Sequence, residues 1–185
     1  MNLIIKRVTE LKELQGIRQL QEANLKKNLA SGEAEKEGFV SAEYTLDFLQ
    51  QMHNACPSII AKDGDTIAGY ALVAVQAIRQ HHALLEDLFN VIDATLYKCA
   101  TLKNTNYVVV GQLCIAKNYR GIGLVKKLYE FYKTELSNQF DYAITDVAQD
   151  NPRSLKAHQK AGFEVIETLS YGGIDWFVIL WDWTN

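Results

Sequence analysis

A β-branched run, Tyr107–Ile115, leads through a short polar link into a turn with two glycines, Arg120-Gly121-Ile122-Gly123, and then into Leu124-Val125-Lys126-Lys127-Leu128. No other part of the chain restricts the fold as tightly. The run reads as a buried strand. The segment after the glycines reads as a helix, with Leu124, Leu128 and Phe131 on one face and Lys126, Lys127, Glu130 and Lys133 mostly on the other. A strand that feeds a helix in this way is a unit of α/β domains. At such a junction the backbone can approach a ligand, and the first helical amides point at it with the positive end of the helix dipole behind them. The turn therefore suits an anion, most naturally a phosphate. Strand–glycine–helix turns also occur in proteins that bind nothing, so the turn does not settle the function alone.

A second segment, Asn151-Pro152-Arg153-Ser154-Leu155-Lys156-Ala157-His158-Gln159-Lys160-Ala161-Gly162-Phe163, adds to it. Together the two segments resemble motifs A and B of the GNAT superfamily of acyl-CoA-dependent N-acetyltransferases. The first is similar to the signature Q/R-x-x-G-x-G/A, with Arg120 leading and Gly123 as its first required glycine. It departs at Val125, which stands for Gly or Ala; a valine still offers its amide to a phosphate oxygen and gives up only close packing. The second is similar to N-x-x-(A/S)-x-x-x-Y-x-x-x-G-F through Asn151, Ser154, Gly162 and Phe163, and departs at His158, where many members carry tyrosine.

The resemblance implies a single α/β domain over residues 1–185, a mixed sheet flanked by helices, with acetyl-CoA as acyl donor. It implies that the backbone of Leu113, Cys114 and Ile115 holds the pantetheine arm and that the amides from Arg120 through Gly121, Ile122, Gly123 and Leu124 to Val125 hold the pyrophosphate. Asn151 and Ser154 complete the implied cofactor site; the cap that Asn151 gives its helix follows from the residues themselves. The Cys114 side chain and Gln112 also read as ordinary strand residues.

Acyl transfer to an amine needs a bound thioester, a neutral amine and a way to handle the departing thiolate. Asp146 lies on the strand before the second segment, at the spacing from His158 at which a subgroup acting on peptide amino termini carries a glutamate base and a tyrosine acid. Asp146 therefore reads as the proton acceptor, directly or through water, or alternatively as an acid that holds a nearby cation or caps a turn. His158 reads as an imidazolium that protonates the thiolate, as a neutral base, or as a helix histidine bonded to a backbone carbonyl. The strand-borne glutamate of other members has no counterpart near Val109. A hydrolase triad of Ser154, His158 and Asp150 lacks a nucleophile elbow and an oxyanion hole. A dinucleotide fingerprint lacks its second glycine pair and acidic ribose ligand. The rival to an enzyme is a non-catalytic acyl-CoA-binding or sensing module on the same fold.

Composition agrees with a small partner. The 185 residues suffice for a buried core, nearly half are apolar, and the formal charge of −3 gives no general attraction to nucleic acid or to an anionic membrane. Cys56, Cys99 and Cys114 suit reduced thiols in a cytoplasmic protein, and the histidines show no metal-ligand spacing, so no metal is expected. The start Met-Asn-Leu-Ile-Ile-Lys-Arg reads as neither signal peptide nor membrane anchor.

The remaining pattern predicts a strand from Asn2 to Val8, a helix capped by Thr9 and running to about Lys27, a polar stretch from Asn28 to Ala42, and a helix over Thr45–Asn54. Gly38-Phe39-Val40 reads as a lid or as a plain surface loop. Strands follow at Ser58–Lys62 and Thr66–Gln76 around Asp63-Gly64-Asp65, then a helix from His82 to Ala100 that forms a subunit contact or an acceptor wall. Tyr142–Ala148 reads as a strand, Pro152–Lys160 as a helix ended by Gly162, and Phe163–Leu169 with Asp175–Trp183 as a hairpin around Gly172-Gly173. Tyr171, Trp176, Trp181 and Trp183 read as an acceptor lining or as packing along the sheet edge and a homodimer seam. The acceptor itself, a small-molecule or peptide amine, is not legible.

Overall fold

The computed structural model describes residues 2–30, 32–171 and 173–184, excepting the side chains of Glu35 and Tyr171. In chain order, β1 (Leu3–Arg7) leads to α1 (Leu11–Asn24), the short α2 (Glu33–Glu37) and α3 (Leu46–Ala55). The hairpin β2 (Ile59–Asp63) and β3 (Thr66–Ala74) follows, then α4 (Ala83–Ala94) and a small hairpin of β4 (Leu96–Tyr97) and β5 (Ala100–Thr101). The glycine turn joins β6 (Tyr107–Ile115) to α5 (Leu124–Leu136). The chain closes with β7 (Tyr142–Ala148), α6 (Pro152–Ala161), β8 (Glu164–Tyr171) and β9 (Ile174–Asp182).

Two expectations need correction. Glu10, not Thr9, caps α1: Glu13 reaches back to accept the Thr9 and Glu10 amides at 2.9 and 3.3 Å. Ion pairs to Lys6 and Lys62 at 2.8 and 2.9 Å make that buried carboxylate tolerable. The helix predicted to Ala100 stops at Ala94, because Lys98 and Cys99 both take left-handed backbone, φ 48° and 67°, and turn the chain into the β4–β5 hairpin. Tyr97 ties this hairpin to the main sheet by donating to Glu164 at 2.8 Å.

The seven long strands form one mixed sheet in the order β1-β2-β3-β6-β7-β9-β8. Its parallel pair is β6–β7, and this pair opens. Residues 107–109 of β6 pair with 142–144 of β7, and the ladder ends at Val109 and Ile144. On its other side β6 stays paired with β3 to Ile115, and the register passes over Gly111. The parity of alternation changes there: Val108 and Val110 share a core with Ile115, whereas Tyr107 and Val109 share the other with Cys114. A bulge at Gly111 thus re-aims the second half of β6 where β7 leaves it.

Helices cover both faces. Leu14, Ile17, Phe48, Leu49, Leu85 and Phe89 fill the core on one side, and Leu128, Tyr129, Tyr132, Leu136 and Phe163 the core on the other. Gly162 ends α6 at φ 113°, and a Cβ there would stand 2.5 Å from Trp181 Nε1, so its position needs glycine for both backbone and space. Among the described residues no helix is long and apolar enough to cross a membrane, and no group of three His, Cys, Asp or Glu side chains is placed to hold a metal ion.

Candidate active site

The opening between β6 and β7 leads to two cavities. The larger, about 370 Å³, is bounded by Leu113, Cys114 and Ile115 of β6, by Arg120, Gly121, Gly123, Leu124 and Val125 of the turn, and by Ser154. The smaller, about 90 Å³, is bounded by Asp146, Asn151 and His158. Leu113 and Ser154, with Phe39 and Val40, border both. Of the turn residues named from the sequence, Ile122 alone borders neither cavity, and it is half exposed.

Sequence dictates the shape of the turn. Gly121 and Gly123 have φ of 78° and 77°, a region that L side chains rarely enter, and nothing lies within 4 Å of where their Cβ atoms would be. Gly123 is also the cap of α5, and the first bond of that helix is from Lys127 to the Gly123 carbonyl. The amides of Leu124, Val125 and Lys126 precede that bond and have no intrahelical acceptor. They stand at the positive end of α5, beside a cavity that five cations border: Arg120, Lys126, Arg153, Lys156 and Lys160. These residues fit the phosphates of a coenzyme A thioester. Burial pushes the Cys114 thiol up to about 12, so this side chain stays protonated and inert while its backbone borders the cavity.

Asn151 works as the sequence predicts at its helix, accepting from the Ser154 amide at 3.2 Å. Its Nδ2 also donates to the Phe39 carbonyl at 3.0 Å, which fastens the Gly38-Phe39-Val40 segment where Phe39 and Val40 border both cavities. Asn151→Ala is expected to cost about 1 kcal/mol of stability in urea unfolding, the usual cost of a lost cap, with an unchanged midpoint contradicting the assignment.

The smaller cavity holds the residues suited to proton transfer. Asp146 lies half-buried on β7 opposite Val178. Tyr44, absent from the residues singled out in the sequence, also borders the cavity and donates to the Gly111 carbonyl at 3.1 Å. Its phenol is pushed up by burial and then by the charge of Asp146, which places that carboxylate within electrostatic reach. Only a lone aromatic before the Thr45 cap could have pointed to it. A buried network holds this wall: Gln112 accepts from Tyr70 at 2.6 Å and from Gln21 at 3.0 Å and donates to the Ala42 carbonyl at 2.8 Å. Leu84, Leu85 and Leu88 of α4 and Trp176 of β9 complete the cavity. Trp181 and Trp183 pack instead against Tyr129 and Tyr132 in the core, and the Tyr171 side chain lies outside the described residues.

His158 is buried, with Nδ1 2.8 Å from the Ser154 carbonyl. A carbonyl only accepts, so the proton sits on Nδ1 and the neutral ring has a bare Nε2. Burial holds the ring down to about 4, opposed only in part by that hydrogen bond. Near neutral pH the imidazolium considered from the sequence is therefore not the form present, and the base and structural readings remain. A depressed folded pKa means that the unfolded chain binds the proton first. Stability is thus full above about 6.5 and falls as pH drops toward 4, by at most about 3 kcal/mol. His158→Phe is expected to lessen the fall of the melting temperature across that window, and an equal slope in both proteins would show the ring to be solvated.

Residues 26–163 match the acetyltransferase (GNAT) family. Curated protein sequences gave no significant match. Among solved structures, a chain of the NatC complex bound to Gag peptide and CoA is similar at 16% identity over 100% of both chains, TM-score 0.68. NAA60 of Arabidopsis thaliana, in complex with acetyl-CoA, is similar at 16% identity over 98% of this chain and 99% of that one, TM-score 0.64. The putative acetyltransferase yncA of Salmonella typhimurium, with its cofactor acetyl-CoA, is similar at 12% identity over 100% and 96%, TM-score 0.63. At these identities the likeness carries the fold alone. The family match itself runs from Lys26 through the glycine turn to Phe163, more than half of the chain, and so the chain belongs to the acetyltransferase (GNAT) family of enzymes.

Proposed function

We propose that the enzyme transfers an acetyl group from acetyl-CoA directly to a primary amine while both substrates are bound. The observation that carries this is the meeting of two unlike cavities at Leu113 and Ser154, one basic and edged by helix amides, the other containing Asp146. Acetyl-CoA supplies an activated thioester. The residues around the larger cavity, Leu113, Cys114, Ile115, Arg120, Gly121, Gly123, Leu124, Val125 and Ser154, bind it chiefly through backbone groups and cations. Ile122, which borders neither cavity, is left out of this set.

In the smaller cavity the acceptor ammonium gives a proton to Asp146, directly or through water, and the neutral nitrogen attacks the thioester carbonyl. The C–S bond breaks as the C–N bond forms, the proton that the attacking nitrogen then sheds goes to the departing thiolate, and Asp146 returns its own proton to solvent. His158 Nε2 offers a lone pair beside that path, with Nδ1 fixed by the Ser154 carbonyl. Cys56, Cys99 and Cys114 are all free thiols, which supports a cytoplasmic place of action.

Free-thiol release with acetyl-CoA and a panel of small-molecule and peptide amines tests this. Intersecting initial-velocity lines are expected. Parallel lines with an acetylated enzyme would replace the ternary complex by a covalent route, and acetyl-CoA binding without thiol release for any amine would favour a binding module.

A further inference from the structure

The larger cavity is bordered by one carboxylate among the described residues, that of Glu37 in α2, and it stands among the cations. Glu37 accepts from Arg120 Nη1 at 2.7 Å and pairs with Arg153 at 3.4 Å. Arg120 also donates from Nε to the Ile115 carbonyl at 3.1 Å and from Nη2 to Asn24 Oδ1 at 2.6 Å. Each of the three guanidinium nitrogens at the head of the glycine turn is thus already engaged by the protein itself.

The partner comes from far away in sequence. Residues 33–40 lie across the cavity as a strap, with Glu33 on Lys117 at 2.9 Å, the Lys36 carbonyl on Arg153 at 2.6 Å and the Phe39 carbonyl on Asn151 at 3.0 Å. The hydrogen bond from Arg120 and the charge of Arg153 hold the Glu37 carboxyl below the usual carboxylate range, so it is ionised at neutral pH. A carboxylate and a phosphate present the same fork-matching oxygens to a guanidinium, and a diphosphate brings more charge.

We infer that Glu37 occupies the phosphate seat on Arg120 and Arg153 in the absence of donor, and that the diphosphate of acyl-CoA displaces it, moving the strap. Glu37 thereby sets donor affinity. Because Phe39 and Val40 border both cavities, the same displacement reshapes the acceptor side as the donor binds. The inference rests on the larger cavity being the acyl-CoA site.

Titration calorimetry of acetyl-CoA against the parent and Glu37→Gln, at low and high salt, tests it. Two partly exposed ion pairs lost from the closed state should tighten binding roughly five- to tenfold in Glu37→Gln. The affinity of that variant should also fall more steeply with salt, since both arginines then meet the ligand unneutralised. In the parent, acetyl-CoA should speed hydrogen exchange at the Gly38 amide, which is bonded to the Ala34 carbonyl at 2.9 Å. Binding by the parent with equal or weaker affinity in Glu37→Gln, or an unchanged Gly38 rate, overturns the role of Glu37 and leaves the acyl-CoA site standing. Failure of both proteins to bind acetyl-CoA overturns the site and the inference together.

Discussion

Gly123→Asp is expected to abolish acetyl-CoA binding in a protein that still folds. The backbone at Gly123 has φ 77°, which costs an L residue about 1 kcal/mol, and aspartate is among the residues that enter this region most readily. Space is no obstacle, with nothing within 4 Å of the new Cβ, and a carboxylate at the first turn of α5 favours the helix. The effect on the ligand is of another size. A unit charge about 4 Å from a phosphate oxygen repels it by roughly 4 kcal/mol at an effective dielectric of 20, on the order of a thousandfold in affinity. Gly123→Asn carries the same shape without the charge and should keep affinity within about tenfold. Calorimetry beside a thermal melt separates the cases. Two folded variants of equal affinity would remove the turn from the binding site, and a loss in Gly123→Asn as large as in Gly123→Asp would assign the effect to backbone strain.

What the sequence made legible was local. The glycine turn carries its own geometry in residue types that few other conformations accept, and α6 carries both its ends, Asn151 with Pro152 at the start and Gly162 at the stop. Tyr142–Ala148 was readable as a strand because it is apolar and short. The β4–β5 hairpin was not readable, since its turn uses Lys98 and Cys99 in place of the glycine or asparagine that signals positive φ, and Leu96 prolongs the helical spacing although it is largely exposed. The opening of β6 from β7 comes beside the bulge at Gly111, and β9 inserts between β7 and β8; both are properties of pairing between distant segments. The same holds for the site. The wall that β6 and the glycine turn give to the larger cavity lies on one continuous stretch and could be read, whereas Tyr44 and Glu37 reach the cavities from the N-terminal part, where a tyrosine and a glutamate in a polar stretch carry no local mark.

The same division between the two cavities makes Asp146→Asn the sharper test of chemistry. Asparagine keeps the size of the side chain and can still accept a hydrogen bond, so the β7–β9 register at Val178 and the smaller cavity should persist. What disappears is the basicity. An acceptor amine is almost wholly protonated near neutral pH, and without a base only the fraction that has lost its proton to solvent can attack. Turnover at neutral pH should therefore drop on the order of a hundredfold or more, within the range set by loss of a general base. Acetyl-CoA affinity should change by less than about twofold, because Asp146 does not border the larger cavity. The variant should also recover with alkali, gaining close to tenfold per pH unit until the acceptor itself is neutral, while the parent levels off once Asp146 is ionised. A variant as fast as the parent at every pH would transfer the base to His158 Nε2 or to bulk water. A loss confined to the KM of the acceptor, with turnover intact, would recast Asp146 as the group that holds the ammonium in place.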